Sequence, residues 1–234
     1  MANVAHHSTH RHRRRAAYGP LWAPLVVFAA AVLTAVAYIA YVLWPRWPDT
    51  PIAPDAPALP IMVAGVAFNI EPAAIRMAVQ RHPGAQERID LAYSWPALTP
   101  PDPAPQAAPD DSKRRLFVTI ATGDGTLPLM ARMQNIYPRY LATDASATPD
   151  GLTLRDFRSG TPYQGEELVF DAAAPEHFLA RCSKQGVTNS GTCLLERRLG
   201  NADITLRFPR DWLNDWRGVA AGVDRLIARL HPGS

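Results

Sequence analysis

His177 is the residue in this chain best placed to move a proton. It stands in Asp171-Ala-Ala-Ala-Pro175-Glu176-His177-Phe178, where Glu176 or Asp171 could orient the imidazole as a general base. Ser190, in the following loop, is the nucleophile such a base would serve. Yet Asn189-Ser190-Gly191 is not the G-x-S-x-G elbow that presents a serine on a strained turn. Glu176 and His177 are therefore a speculative acid–base pair, and the chain has no recognisable catalytic motif. An ordinary surface histidine is the favoured reading of His177.

The other chemistry-bearing groups reduce to structural roles. Cys182 and Cys193 are the only cysteines, and the ten residues between them are polar and glycine-containing. Redox dithiols favour C-x-x-C spacing, and zinc needs two further ligands that no H-x-x-x-H or second C-x-x-C supplies. The expectation is a disulfide closing the loop. Glu166 and Glu167 are neighbours on an expected strand and point to opposite faces, so they do not converge as a glycosidase pair. Asp110-Asp111 lies in a proline-rich stretch. Gly123-Asp124-Gly125 lacks the surroundings of a phosphate or calcium loop and reads as a tight turn. His82 precedes Pro83-Gly84 in a turn, and His231 ends the last helix. No cofactor and no metal site is expected. Tyr137, Arg139 and Tyr140, grouped around Pro138, are the aromatic and basic types enriched at interfaces, and they form the candidate interaction surface.

The elements that must hold these residues follow from hydrophobic pattern. Ile61–Phe68 is an apolar run and reads as a strand. Residues 69–81 read as a short helix with Pro72 in its first turn and Ile75 and Val79 one turn apart. Residues 88–95 alternate, with Ile89, Leu91 and Tyr93 on one face, as a half-buried strand does. Residues 116–121 form another strand. Residues 127–140 suggest a helix carrying Leu129, Met133 and Ile136 inward and ended by Pro138. Strands follow at 152–157 and 167–171, then one or two helical turns over 175–181. Residues 193–199 and 202–208 flank Gly200-Asn201 as a hairpin. The clearest helix is last, with Trp212, Trp216, Val219, Val223, Leu226, Ile227 and Leu230 at spacings of three or four. Its mixed polar face lacks the positive excess of a lipid-surface helix. Strands and helices in clusters, without βαβ alternation, make the fold class α+β, with a mostly antiparallel sheet and a C-terminal amphipathic helix.

Ahead of this domain, Leu21 to Trp44 is an apolar run of 24 residues without a charge. About 20 such residues suffice to cross a bilayer core. The run is longer than a signal-peptide core and leaves through Trp44-Pro45-Arg46-Trp47, a poor cleavage site. Tyr18 and Trp22 at one end and Trp44 and Trp47 at the other match interfacial aromatic belts. The expected organisation is a basic tail at 1–20, a transmembrane helix at 21–44, a Pro-rich spacer at 45–60 and an exported α+β domain at 61–234. A Pro-rich loop at 96–112 interrupts that domain, and six prolines in the spacer favour an extended chain.

Charge orients the whole. Four of the 24 basic residues lie in the first 20 with no acid, leaving 20 against all 21 acids beyond. The positive-inside rule puts the tail in the cytoplasm and the domain outside. The near-balanced domain argues against nucleic acid as partner. His6, His7, His10 and His12 share the tail but have no fixed geometry for a metal. Only Lys113 and Lys184 are lysines, an arginine bias typical of GC-rich bacterial genomes, so the outside compartment reads as the periplasm. The resulting expectation is a bitopic inner-membrane protein, its partners the bilayer through 21–44 and another envelope protein, serving as an interaction, assembly or accessory module. A membrane-tethered periplasmic hydrolase and a small-ligand or lipid-binding domain are the alternatives.

Overall fold

A computed structural model describes residues 22–43, 52–53, 56–102, 114–184 and 191–232. The basic tail, most of the spacer, the centre of the Pro-rich stretch with Asp110-Asp111, and Ser190 lie outside the described residues. The chain divides into two compact units, 1–47 and 48–234.

In the first unit, helix α1 (Trp22–Leu43) coincides with the apolar run. It has no buried residue within the unit and is long and apolar enough to cross a membrane by length and composition. At 1.5 Å per residue it spans about 33 Å.

The second unit is α+β, as expected. Strands β1 (Leu59–Val63), β2 (Val66–Ile70) and β3 (Gly84–Gln86) form a small sheet in the order β2-β1-β3. The larger sheet uses β4 (Arg88–Ser94), β5 (Arg115–Thr122), β6 (Leu141–Ala147), β7 (Thr153–Phe157), β8 (Glu166–Phe170), β9 (Leu179–Ser183), β10 (Thr192–Leu199) and β11 (Ala202–Pro209). Its order is β4-β5-β11-β10-β9-β8-β7-β6, antiparallel throughout. Helix α2 (Leu129–Asn135) crosses from β5 to β6, and α3 (Trp216–Leu230) closes the chain.

Two cores lie on opposite faces of the large sheet. Alternation on β4, β5 and β11 turns Ile89, Leu91, Tyr93, Leu116, Val118, Ile120, Ile204, Leu206 and Phe208 to one side. There they meet Trp216, Val219, Val223, Leu226 and Leu230 of α3 and the inward residues of β1 and β2. The helical stripe read from sequence thus packs on the sheet. The second core covers only the half of the other face built from β9 to β6. Leu141, Phe157, Leu168, Phe170 and Leu179 are sealed there by Leu129 of α2 and by Tyr137, with Met130, Met133 and Ile136 alongside. Over β4, β5, β11 and β10 neither helix covers the same face, and apart from the buried Ala92 the strand residues pointing into it are polar or only partly buried.

Several elements differ from the sequence expectation. The strand expected over 61–68 is a hairpin, turning at Ala64 (φ 51°) and Gly65 (φ 82°). Positive φ at both central residues is the hairpin turn matched to strand twist. An apolar run without Asn or Asp hid it. The helix expected over 69–81 is the end of β2 and two single 3-10 turns, 72–74 and 78–80. The segment's backbone is used by tertiary partners. Arg76 N–H donates to Asp90 O, Ile75 bridges to Leu91, and the Arg81 guanidinium donates to Ile75 O at 3.0 and 3.2 Å. Ile75 is buried, but Val79 is 67% exposed. The one or two helical turns expected over 175–181 reduce to a single hydrogen-bonded turn at 175–177, with His177 N–H donating to Ala174 O at 2.9 Å, followed by β9, whose ladder with β8 and β10 outweighs local preference. The helix expected over 127–140 stops at Asn135, and Tyr137–Arg139 forms a 3-10 turn around Pro138. Pro209 ends β11, and the last helix begins only at Trp216, where the Asp215 side chain accepts from Gly218 N–H.

Candidate functional site

The part of the uncovered face beside α2 is a trough of about 530 Å³, floored by Thr119, Ala121, Asp203, Thr205, Glu196 and Arg198. Strand register assembles it in transverse rows. Asp90, Thr119, Thr205 and Glu196 stand opposite one another on β4, β5, β11 and β10, and Arg88, Ala121, Asp203 and Arg198 form the next row.

Each acid in these rows has an arginine. Arg88 holds Asp90 through two hydrogen bonds, Nη2 to Oδ1 at 2.8 Å and Nε to Oδ2 at 3.0 Å. Thr119 Oγ1 also donates to Asp90 Oδ1, at 2.8 Å, and the backbone N–H of Asp90 donates to Gln80 Oε1. The hydrogen bond from Arg88 is the main reason that the Asp90 carboxyl lies below the ordinary aspartate value; burial opposes this, and Thr119 adds to it. Arg198 grips Asp203 in a fork at 2.5 and 2.8 Å and reaches Thr126 O at 3.1 Å. From α2, Arg132 pairs with Glu196 and donates to Tyr137 Oη at 3.1 Å. Arg88 and Asp90 are two residues apart on one strand, and Arg198 and Asp203 five apart across a hairpin; only Arg132 and Glu196 come from elements distant in sequence. The alternation of acid and base along β4 and β10 was the available signal.

The proposed acid–base residues do not converge. His177 is exposed, and its ring lies 6.4 Å from that of Trp216. Its carbonyl accepts from Arg197 Nη2 at 2.7 Å. Glu176 reaches the trough rim, and Asp171 Oδ1 caps its own turn by accepting from Ala173 N–H at 3.0 Å. Among the described residues no carboxylate hydrogen-bonds the His177 ring, and no three His, Cys, Asp or Glu side chains cluster as metal ligands.

The interaction triad is corrected at one position. Tyr137 is buried at 0% exposure, its ring edge-on to Phe157 at 5.2 Å and to Tyr163 at 5.1 Å, and burial pushes its phenol up. The preceding helix aims it into the second core, where it is an anchor and not a contact. Arg139 is exposed, and Tyr140 is half-buried against Tyr163 at 5.7 Å.

Cys182 and Cys193 are bonded, joining β9 to β10 at directly opposed positions in the first core. Beside them the neighbouring acids separate as strand geometry requires. Glu167 turns to the α3 side, is 4% exposed and holds Arg210 at 2.5 Å, whereas Glu166 turns to the other face and pairs with Arg181 at 3.1 Å.

No protein-family model matches this sequence, and no curated protein matches it. The fold has counterparts among solved structures. One is Smlt3025, described as an immunity protein of the Stenotrophomonas maltophilia type IV secretion system. The TM-score is 0.51 at 14% identity, over 74% of this chain and 93% of that one. Another is the Neisseria meningitidis iron-regulated outer membrane lipoprotein FrpD, with a TM-score of 0.48 at 10% identity, over 78% of this chain and 96% of that one. What the chain shares with Smlt3025 is a backbone arrangement.

Proposed function

We propose that this chain is a bitopic inner-membrane protein whose periplasmic domain is a protein-interaction module of the cell envelope. In this reading residues 1–20 are a cytoplasmic tail, 21–44 the anchor, 45–60 a spacer and 61–234 the exported domain. The observation that carries it is the half-covered sheet. Two cores, two helices and a disulfide hold one sheet rigid, yet four strands of one face carry no covering helix. Rows of paired charges there offer shape and polarity and no assembled catalytic group. Rigid, pre-formed surfaces of this kind lose little on association. Support for the location comes from the apolar helix and from the arginines ahead of it. The fold shared with Smlt3025, described as an immunity protein of a secretion system, supports the reading of a protein partner in the envelope.

The test is cross-linking and affinity capture of the full-length protein from native membranes, followed by mass spectrometry. A stoichiometric envelope or secreted partner is the expected result. Recovery of the protein alone removes the reading. Cysteine-accessibility mapping checks the orientation, with residues after 60 expected to label from the periplasmic side.

A further inference from the structure

Next to the paired rows, the uncovered face carries two arginines with no acid. Phe117 of β5 stands opposite Arg207 of β11, one row beyond Thr119 and Thr205. The Arg207 guanidinium lies 5.2 Å from the centre of the Phe117 ring. Arg76, delivered by the segment between β2 and β3, lies over the same ring at 4.7 Å. Both arginines are exposed. Among the described residues the acids of the four open strands are Asp90, Asp203 and Glu196, and these are occupied by Arg88, Arg198 and Arg132. Neither the Arg76 nor the Arg207 side chain has a hydrogen bond or carboxylate of its own there.

Two like charges gathered on one aromatic ring repel each other, and the ring's negative face offsets only part of this at an exposed site. An anion between them would satisfy both. The stacking also fixes two planar forks in advance, which is the geometry that reads carboxylates. Arginine and aromatic side chains are the types that dominate binding energy at protein interfaces. We propose that Arg76, Phe117 and Arg207 form the docking centre for an acidic segment of the protein partner. The proposal rests on the interaction-module reading and names where and with what charge the partner binds. A protein fits this surface better than a nucleic acid or lipid headgroups. The rows beside the arginines hold as many acids as bases, and a run of phosphates would have to lie across Asp90, Asp203 and Glu196. A protein can place its acids over Arg76 and Arg207 alone.

The experiment titrates full-length protein in detergent micelles with a short fluorescent poly-L-glutamate peptide, and separately with duplex DNA and phosphatidylglycerol vesicles. The peptide is expected to bind, and the R76A/R207A variant to weaken it about tenfold or more. Arg225→Ala, an exposed arginine of α3 away from this face, is expected to leave binding unchanged. Thermal melts of the variants, expected to match the parent, exclude a folding cause. No peptide binding, or an equal loss with Arg225→Ala, overturns the proposal. Tighter binding of the phosphate probes that is lost in R76A/R207A also overturns it, in favour of a phosphate-binding surface. In the capture experiment, a partner retained by R76A/R207A overturns this docking centre while leaving the interaction-module reading intact.

Discussion

At the scale of single residues, the domain is held by a few charged pairs that sequence order conceals. Glu167 is the most committed of them, almost without exposure and bonded to Arg210, which itself keeps partial access to water. Removing one partner of such a pair leaves the other charge desolvated and unpaired. Glu167→Ala is expected to cost roughly 2–4 kcal/mol, read as a lower denaturant midpoint by tryptophan fluorescence. Asp90 sets a pH dependence. Its folded value is depressed, chiefly by the hydrogen bond from Arg88, so its contribution is present above the unfolded aspartate value of about 3.9. It is lost as pH falls through the lower folded value. Thermal melts of the parent should therefore decline below about pH 4 more steeply than those of Asp90→Asn. The adjacent acids Glu166 and Glu167 could be sent to opposite faces from sequence alone. Their arginines could not be chosen, because pairing with residues 181 and 210 depends on which strand lies beside which.

At the scale of elements, close packing and crosslinking make specific demands. A Cβ built on Gly222 would fall 2.6 Å from Cζ3 of Trp95, whose ring is stacked on Trp212 at 4.8 Å. The glycine lets α3 sit against that aromatic pair. Gly222→Ala is expected to destabilise by about 1–3 kcal/mol through overpacking, despite the better helix propensity of alanine, and the melting temperature measures it. Replacing Cys182 and Cys193 by serine reopens a loop of eleven residues' separation. The expected loss is roughly 3 kcal/mol in the chain-entropy model, checked by denaturation with and without reductant. Long, strongly patterned elements were legible, namely β4, β5, the β10–β11 hairpin and α3. Strand β6 was not. As an edge strand it reads Leu-Ala-Thr-Asp-Ala-Ser-Ala and is mostly exposed, so it carries no alternation. The segment 69–81 misled for the opposite reason, since its spacing suits a helix while its backbone groups bond to β4.

At the scale of the whole molecule, the sheet divides its labour. One face packs against α3 and the small sheet over most of its strands, and the other is covered by α2 over half of its strands. A charge-reversing change in the open half should therefore disturb binding more than folding. Arg207→Glu is expected to shift the melting temperature little while abolishing recovery of the captured partner, and the two measurements together separate surface from core. By the same logic Tyr137→Ala, once a candidate contact, should behave as a core change and lose about 3–5 kcal/mol.

What the amino-acid sequence determined by itself was what depends on neighbours in the chain. Composition and run length mark the apolar helix, period marks the strong strands and α3, and spacing with compartment marks the Cys182–Cys193 bond. Near-balanced charge beyond residue 20 weighs against nucleic acid as a partner. Only the tertiary structure decided which face of the sheet stays open, that Tyr137 is sealed while Arg139 is not, and that Arg76 and Arg207 share one ring. Those outcomes depend on strand order and register. A sheet ordered β4-β5-β11-β10 sets Phe117 opposite Arg207, on strands far apart in the chain, and no local pattern encodes that adjacency.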